Sequence, residues 1–321
     1  MWKNFLVLVF FASVISLGAQ TKIDSARAPK KDTVVVGWKK GGAMGINFTQ
    51  ASFTNWAAGG VNSISAQSLF NCFANYKNKT TRWDNILDLS YGLVKQNTAG
   101  SLRKADDRID LNSKYGKYAF RKVWYYSALV NFKTQFAPGY TYQGDTAKTL
   151  IADFMAPGYL ILAVGLDYKP TDKFSIFMAP LTAKHTFVLY QSLANAGAYG
   201  VEKAIYDTAG ILLIPGRTVR SEFGGYFRLQ FRGEIMKNVN MNAKLELFSN
   251  YINHPENVDV NTEVAFILKV NKYITANLTM QAIYDHDINI SVDDDDDGVI
   301  DGAGPRLQFR QVLGVGFGVK F

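Results

Sequence analysis

Cysteine is almost missing from this chain: Cys72 is the only one among 321 residues. A single thiol excludes a disulfide framework, and its distance from the N-terminal leader excludes a lipid-anchoring cysteine after cleavage. Histidine is scarce too, with only His185, His254 and His286. Beyond the leader no segment approaches about 18 consecutive apolar residues, so no membrane-spanning helix is expected. Lys and Arg outnumber Asp and Glu 35 to 27, yet the excess is spread along the chain. No basic run interleaved with aromatics is present, which argues against a nucleic-acid partner.

The N-terminus carries a leader. Met1 to Lys3 supply a positive start, Phe5 to Leu17 an apolar stretch, and Leu17-Gly18-Ala19 a cleavage-like end before Gln20. Residues 1–19 therefore read as a secretory signal peptide rather than a membrane anchor, because the apolar part is too short to span. Losing Lys3 lowers the net charge from +8 to +7. Residues 20–40 form a polar lead closing on Val34-Val35-Val36, read as a periplasmic N-terminal tail. Residues 41–321 are then left for one membrane domain, with too little chain outside it for a periplasmic globular domain.

That remainder is rich in 22 Phe, 17 Tyr, 5 Trp and 27 Gly against 8 Pro. Aromatics favour strands, and glycines suit turns and crowded interiors. The periodicity makes the point sharper. Leu313, Val315, Phe317, Val319 and Phe321 share one face while Gly314, Gly316, Gly318 and Lys320 share the other. Phe227, Leu229 and Phe231 oppose Tyr226, Arg228, Gln230 and Arg232, and similar alternation recurs in 239–251, 274–285 and 159–168. A soluble sandwich would leave the terminal apolar strand as an aggregation hazard, whereas a barrel closes it on the first strand. An apolar face on every strand has lipid as its natural partner.

The expectation is an all-β chain: a transmembrane antiparallel up-and-down β-barrel of about twelve strands, within two. The strands are placed at 41–50, 61–76, 82–96, 107–119, 122–136, 158–169, 173–190, 219–233, 239–252, 258–270, 272–286 and 306–321. Short turns alternate with longer loops, and an even count returns the C-terminus to the entry side. This places the chain in the cell outer membrane, both termini periplasmic, with outer-membrane lipid as one partner.

Several stretches carry a family resemblance: Phe48-Thr-Gln-Ala-Ser-Phe-Thr-Asn-Trp-Ala-Ala-Gly-Gly60, Trp83-Asp-Asn85, Asp88-Leu-Ser-Tyr-Gly-Leu-Val94, Asp106-Asp-Arg-Ile-Asp110 and Thr134-Gln-Phe-Ala-Pro-Gly139. Together they resemble a family of outer-membrane proteins of Bacteroidota catalogued as a domain of unknown function, over essentially the whole mature chain. The resemblance implies location and architecture and transfers no catalytic residue. Gln50, Asn55 and Trp56 are its most specific block and mark a candidate interaction loop.

One loop has metal-binding spacing. Asp293, Asp295 and Asp297 stand at positions 1, 3 and 5 of a calcium loop, with Gly298 at 6. The Val299 carbonyl and Asp301 would supply positions 7 and 9, but Gly304 replaces the bidentate Glu expected at 12. A truncated aspartate loop holding a structural Ca2+ is the expectation; the alternative is a solvated acidic loop, since adjacent carboxylates repel. Asp285-His286-Asp287 invites comparison with an acid–base site, but no nucleophile motif stands beside it, so no enzyme is expected.

The expected inward face carries Asp88, Asp110, Lys114, Lys133, Arg228, Arg232, Lys244, Glu246 and Glu263. These residues either line a narrow, porin-like pore or pair into a plug, and near-balanced signs favour the plug. Three functions stay open. The favoured one is an accessory or scaffold acting through outer-membrane protein partners; a narrow channel or small-solute transporter comes next, and a surface enzyme last.

Overall fold

The computed structural model describes residues 36–52, 62–96, 102–143, 147–271, 273–292 and 302–321. The signal peptide and most of the tail fall outside these ranges, as do Asn55, Trp56 and the aspartate loop from Asp293 to Asp301.

Twelve strands form one closed antiparallel barrel. They are β1 (Gly37–Ala51), β2 (Ser63–Lys77), β3 (Thr81–Gln96), β4 (Arg103–Tyr118), β5 (Trp124–Thr134) and β6 (Gly158–Tyr168). The second half runs β7 (Phe174–Phe187), β8 (Val219–Met236), β9 (Val239–Asn250), β10 (Val258–Lys269), β11 (Ile274–Tyr284) and β12 (Gln308–Lys320). Each strand pairs with its neighbour in sequence, and β12 returns to β1 from Ala43↔Lys320 to Phe48↔Val315. The terminal residue completes the seam: Gly42 N–H donates to Phe321 O at 2.9 Å and Phe321 N–H to Gly42 O at 3.0 Å. Closure satisfies the strand edges internally, which a lipid environment demands.

The twelve barrel strands are the twelve expected, with moved ends. β1 begins at Gly37, inside the stretch read as tail, because Lys39 and Lys40 extend the ladder against Asn75 and Ala74. Five tight turns lie at the end where β1 starts and β12 finishes, and the longer connections at the other. Outward positions are apolar and exposed: Met44, Ile46 and Phe48 on β1, Leu162 and Val164 on β6, Leu313, Val315 and Phe317 on β12. Near the turns this surface becomes aromatic. Trp38 packs on Trp83 at 5.7 Å between ring centroids, and Trp124 on Tyr168 at 4.9 Å. This is a transmembrane barrel surface, an apolar band edged by amphipathic rings.

Pro180 shows how local chemistry bends a strand. It lacks an N–H to give the ladder, and the register shifts there against both β6 and β8. Gly165 lies opposite, where a Cβ would stand 2.0 Å from the Met178 carbonyl oxygen, so only glycine lets the bulge approach.

The loops add small elements the alternation did not announce. Gly139–Gln143 pairs with Ala147–Ala152, Ile205–Tyr206 with Leu212–Ile214, and Asn289–Val292 with Gly302–Pro305. A short helix, Gln191–Asn195, sits in the β7–β8 loop. Ala156, Val188, Leu193, Ala194 and Val201 form a buried cluster where this loop meets the β5–β6 loop.

Candidate functional site: the charged lumen

Alternation turns one side of every strand inward, and charges there meet across the lumen between strands that are not neighbours. Arg108 of β4 donates to Glu263 of β10 at 2.7 Å. Asp110 of β4 lies 3.6 Å from Lys244 of β9, and Lys133 of β5 donates to Glu246 of β9 at 2.8 Å. Arg310 of β12 donates to Asp106 of β4 at 2.5 Å, and Gln67 donates to the same carboxylate at 2.6 Å.

Glu246 is the hub. It accepts from Arg228 Nη2 at 2.5 Å, the Tyr226 hydroxyl at 2.6 Å and Asn261 at 2.9 Å, besides Lys133. Asp88, Asp106, Asp110, Glu246 and Glu263 thus share the middle of the lumen with Arg108, Lys133, Arg228, Lys244 and Arg310. Buried charges cost stability unless paired and hydrogen-bonded, and here the signs are balanced. Beside them an apolar layer of Leu129, Ala163, Phe177, Ala179, Tyr226 and Phe248 fills the lumen next to β5–β9.

Toward the turns, Lys114 donates to Asp167 at 2.7 Å and lies 5.6 Å from the Phe177 ring centroid. Lys169 pairs with Asp84, while Asp88, farther in, accepts from Asn71. Arg82 and Lys77 hold Asp172 in the β6–β7 turn at 2.5 and 3.3 Å. Partial burial alone would raise the Asp172 carboxyl, but the hydrogen bonds and positive charge of its partners outweigh this and hold it below the ordinary carboxylate range. Arg232 faces this end with its Nε buried and without a hydrogen-bond partner among the described residues.

The loop-side mouth holds a second cluster. Lys184 lies 2.6 Å from Asp259, 3.4 Å from Glu222 and 3.7 Å from Asp285. Arg220 reaches Glu222 at 2.7 Å and Asp287 at 3.2 Å, and donates to the Gly200 carbonyl at 3.3 Å. Tyr199, beside Gly200, donates to the Ile151 carbonyl at 2.6 Å, and burial pushes its hydroxyl up to about 12. The β7–β8 loop is thereby tied to the β5–β6 loop and to the mouth.

Asp285 thus faces Lys184 and Asp287 faces Arg220, while His286 is exposed with its Nδ1 3.3 Å from the Tyr284 hydroxyl. A serine that sequence spacing did not reveal stands elsewhere: Ser221 Oγ lies 2.9 Å from His185 Nδ1 on the outer face of β7 and β8. The strand register pairs the two residues, and register was the missing signal. The contact is a hydrogen bond across the β7–β8 register. No three-residue group of metal-ligating side chains occurs among the described residues. Gln50 is exposed at the loop end of β1; the rest of its block and the calcium spacing lie outside the described residues.

Residues 48–140 match the model of a family described as a protein of unknown function (DUF3078). The match is narrower than the whole-chain resemblance read from the sequence, although it holds the Gln50 block and the Asp106–Asp110 motif. No curated protein matches the chain. Among solved structures, the chain is similar to the COG4313 outer membrane channel from Pseudomonas putida F1, with 11% identity, TM-score 0.37 and coverage of 92% of this chain and 100% of that one. The NanC porin gives 10%, 0.34, 86% and 98%. The translocator domain of autotransporter NalP from Neisseria meningitidis gives 9%, 0.33, 89% and 90%. Scores this low reflect a barrel outline and carry no functional information.

Proposed function

We propose that this protein is a closed outer-membrane barrel, with both termini periplasmic, that serves as an accessory or scaffold of an outer-membrane complex. The observation that carries this reading is the ion-pair network spanning the lumen, anchored on Glu246 and backed by the Phe177 layer. A lumen filled in this way leaves the outer surface, the turns and the loops as the places where the barrel acts. The mouth carboxylates engaged by Lys184 and Arg220 support a non-catalytic role. The outer membrane is favoured by the apolar outer band, the even strand number and the contrast between tight turns and long loops.

A narrow channel is the second reading, supported by one observation. A cavity of about 80 Å³, reached by Asn47, Gln67 and Asp106 but lined also by Ala66, Ala105 and Val312, lies beside the β1–β12 seam. Planar-bilayer recording separates the two. The purified barrel should give no steady single-channel steps, and a native pull-down should retain a stoichiometric membrane partner. Reproducible unitary currents in the absence of any partner would overturn the scaffold reading in favour of the channel.

A further inference from the structure

The two ends of the barrel differ in charge. The described residues of the five tight turns hold six bases, Lys79, Arg121, Lys122, Lys169, Lys173 and Lys237, against one acid, Asp172. The described residues of the opposite loops hold four bases and six acids. Asp172 is taken up by Lys77 and Arg82, and Lys169 by Asp84, so the remaining turn bases have no carboxylate partner among the described residues. Each is exposed, as is Lys269 at the end of β10 beside the fifth turn.

Positive charge stands in four of the turns and, as Lys269, beside the fifth, around the circumference rather than on one arc. It continues onto the lipid-facing side, where Lys117 follows Tyr115 by two residues toward the turn on β4. The exposed rings of Trp38, Trp83 and Tyr115 mark the level at which a bilayer passes from hydrocarbon to headgroups. Lysines just beyond such rings extend along the apolar surface and present their ammonium groups to phosphate. A protein partner would call for a basic patch on one side; a complete ring fits a surrounding leaflet.

We infer that the turn end of the barrel is a binding ring for anionic phospholipid headgroups in the leaflet that surrounds it. The inference rests on the membrane-spanning fold and not on the scaffold reading, so an open channel would leave it standing. The test reconstitutes the full barrel into phosphatidylcholine vesicles containing a minority of phosphatidylglycerol, extracts it in mild detergent and quantifies the retained lipid by mass spectrometry. Phosphatidylglycerol should be enriched over its bulk share by roughly fivefold at each basic site, and the enrichment should fall as salt is raised. The combined variant K79Q, R121Q, K122Q, K173Q, K237Q and K269Q should lose most of it, whereas K148Q, K203Q, R217Q and R306Q together should retain it. Equal retention by wild type and the turn variant overturns the inference, as does a loss confined to the loop variant. Should the turn variant fail to insert, the salt series on the wild-type protein decides, since salt-independent retention also overturns it. An acidic peptide held by the wild-type barrel without phosphatidylglycerol enrichment would assign the ring to a protein partner instead.

Discussion

At the scale of single residues, Glu246 concentrates the energetics of the lumen. Its two oxygens accept hydrogen bonds from Arg228, Tyr226, Lys133 and Asn261. Removing it leaves at least two cations, on Arg228 and Lys133, without their acceptor in a low-dielectric interior. Glu246→Ala is therefore expected to destabilise the barrel by about 3–5 kcal/mol, the cost of breaking a buried pair rather than replacing it. Urea unfolding in detergent micelles, followed by tryptophan fluorescence, measures this; a variant within about 0.5 kcal/mol of wild type would mean that Lys244 and Asp110 re-pair around the gap. The alternating pattern shows on its own that Glu246 and Arg228 share the polar face of their strands. It does not show that Lys133 meets Glu246, because those residues are 113 positions apart and only the curvature and stagger of the closed barrel bring them together. Ser221 and His185 are joined instead by the register of two adjacent strands, which the alternation does not carry.

At the scale of the element, β12 decides whether the barrel closes. Its outward residues are bulky and its inward residues include Gly314 and Gly316, and this asymmetry lets β1 approach. A Cβ on Gly316 would stand 2.1 Å from the Ile46 carbonyl oxygen and 2.6 Å from Asn47 Oδ1, whereas one on Gly314 would meet Asn47 Cβ at 3.1 Å. Gly316→Ala is thus expected to cost about 1–3 kcal/mol through forced displacement of the seam, and Gly314→Ala markedly less. Heat-modifiable migration on cold SDS gels reports the folded fraction of each; equal behaviour of the two variants would show that the seam yields freely at Gly316. Strands of this kind are legible because a period of two over ten or more residues has few rival explanations. The Pro180 bulge and the loop hairpins are not. A bulge shifts the period by one residue, and a hairpin arm as short as Leu212–Ile214 offers no repeat to read.

At the scale of the whole molecule, parity and end chemistry fix different things. Twelve antiparallel strands put the start of β1 and the end of β12 at the end with the tight turns, whichever way the barrel is inserted. Orientation in the membrane is a separate matter; in the proposed one the turns are periplasmic and the β7–β8 loop lies outside. Single cysteines test it in a Cys72→Ser background, which removes the one native thiol. Ala209→Cys lies in the exposed tip of the β7–β8 loop and Lys237→Cys in the exposed β8–β9 turn. A membrane-impermeant maleimide added to intact cells should label position 209 and spare position 237, and both should react once the outer membrane is permeabilised. Labelling of position 237 in intact cells would invert the barrel. The basic ring would then face the outer leaflet, and the anionic groups it meets would be those exposed at the cell surface.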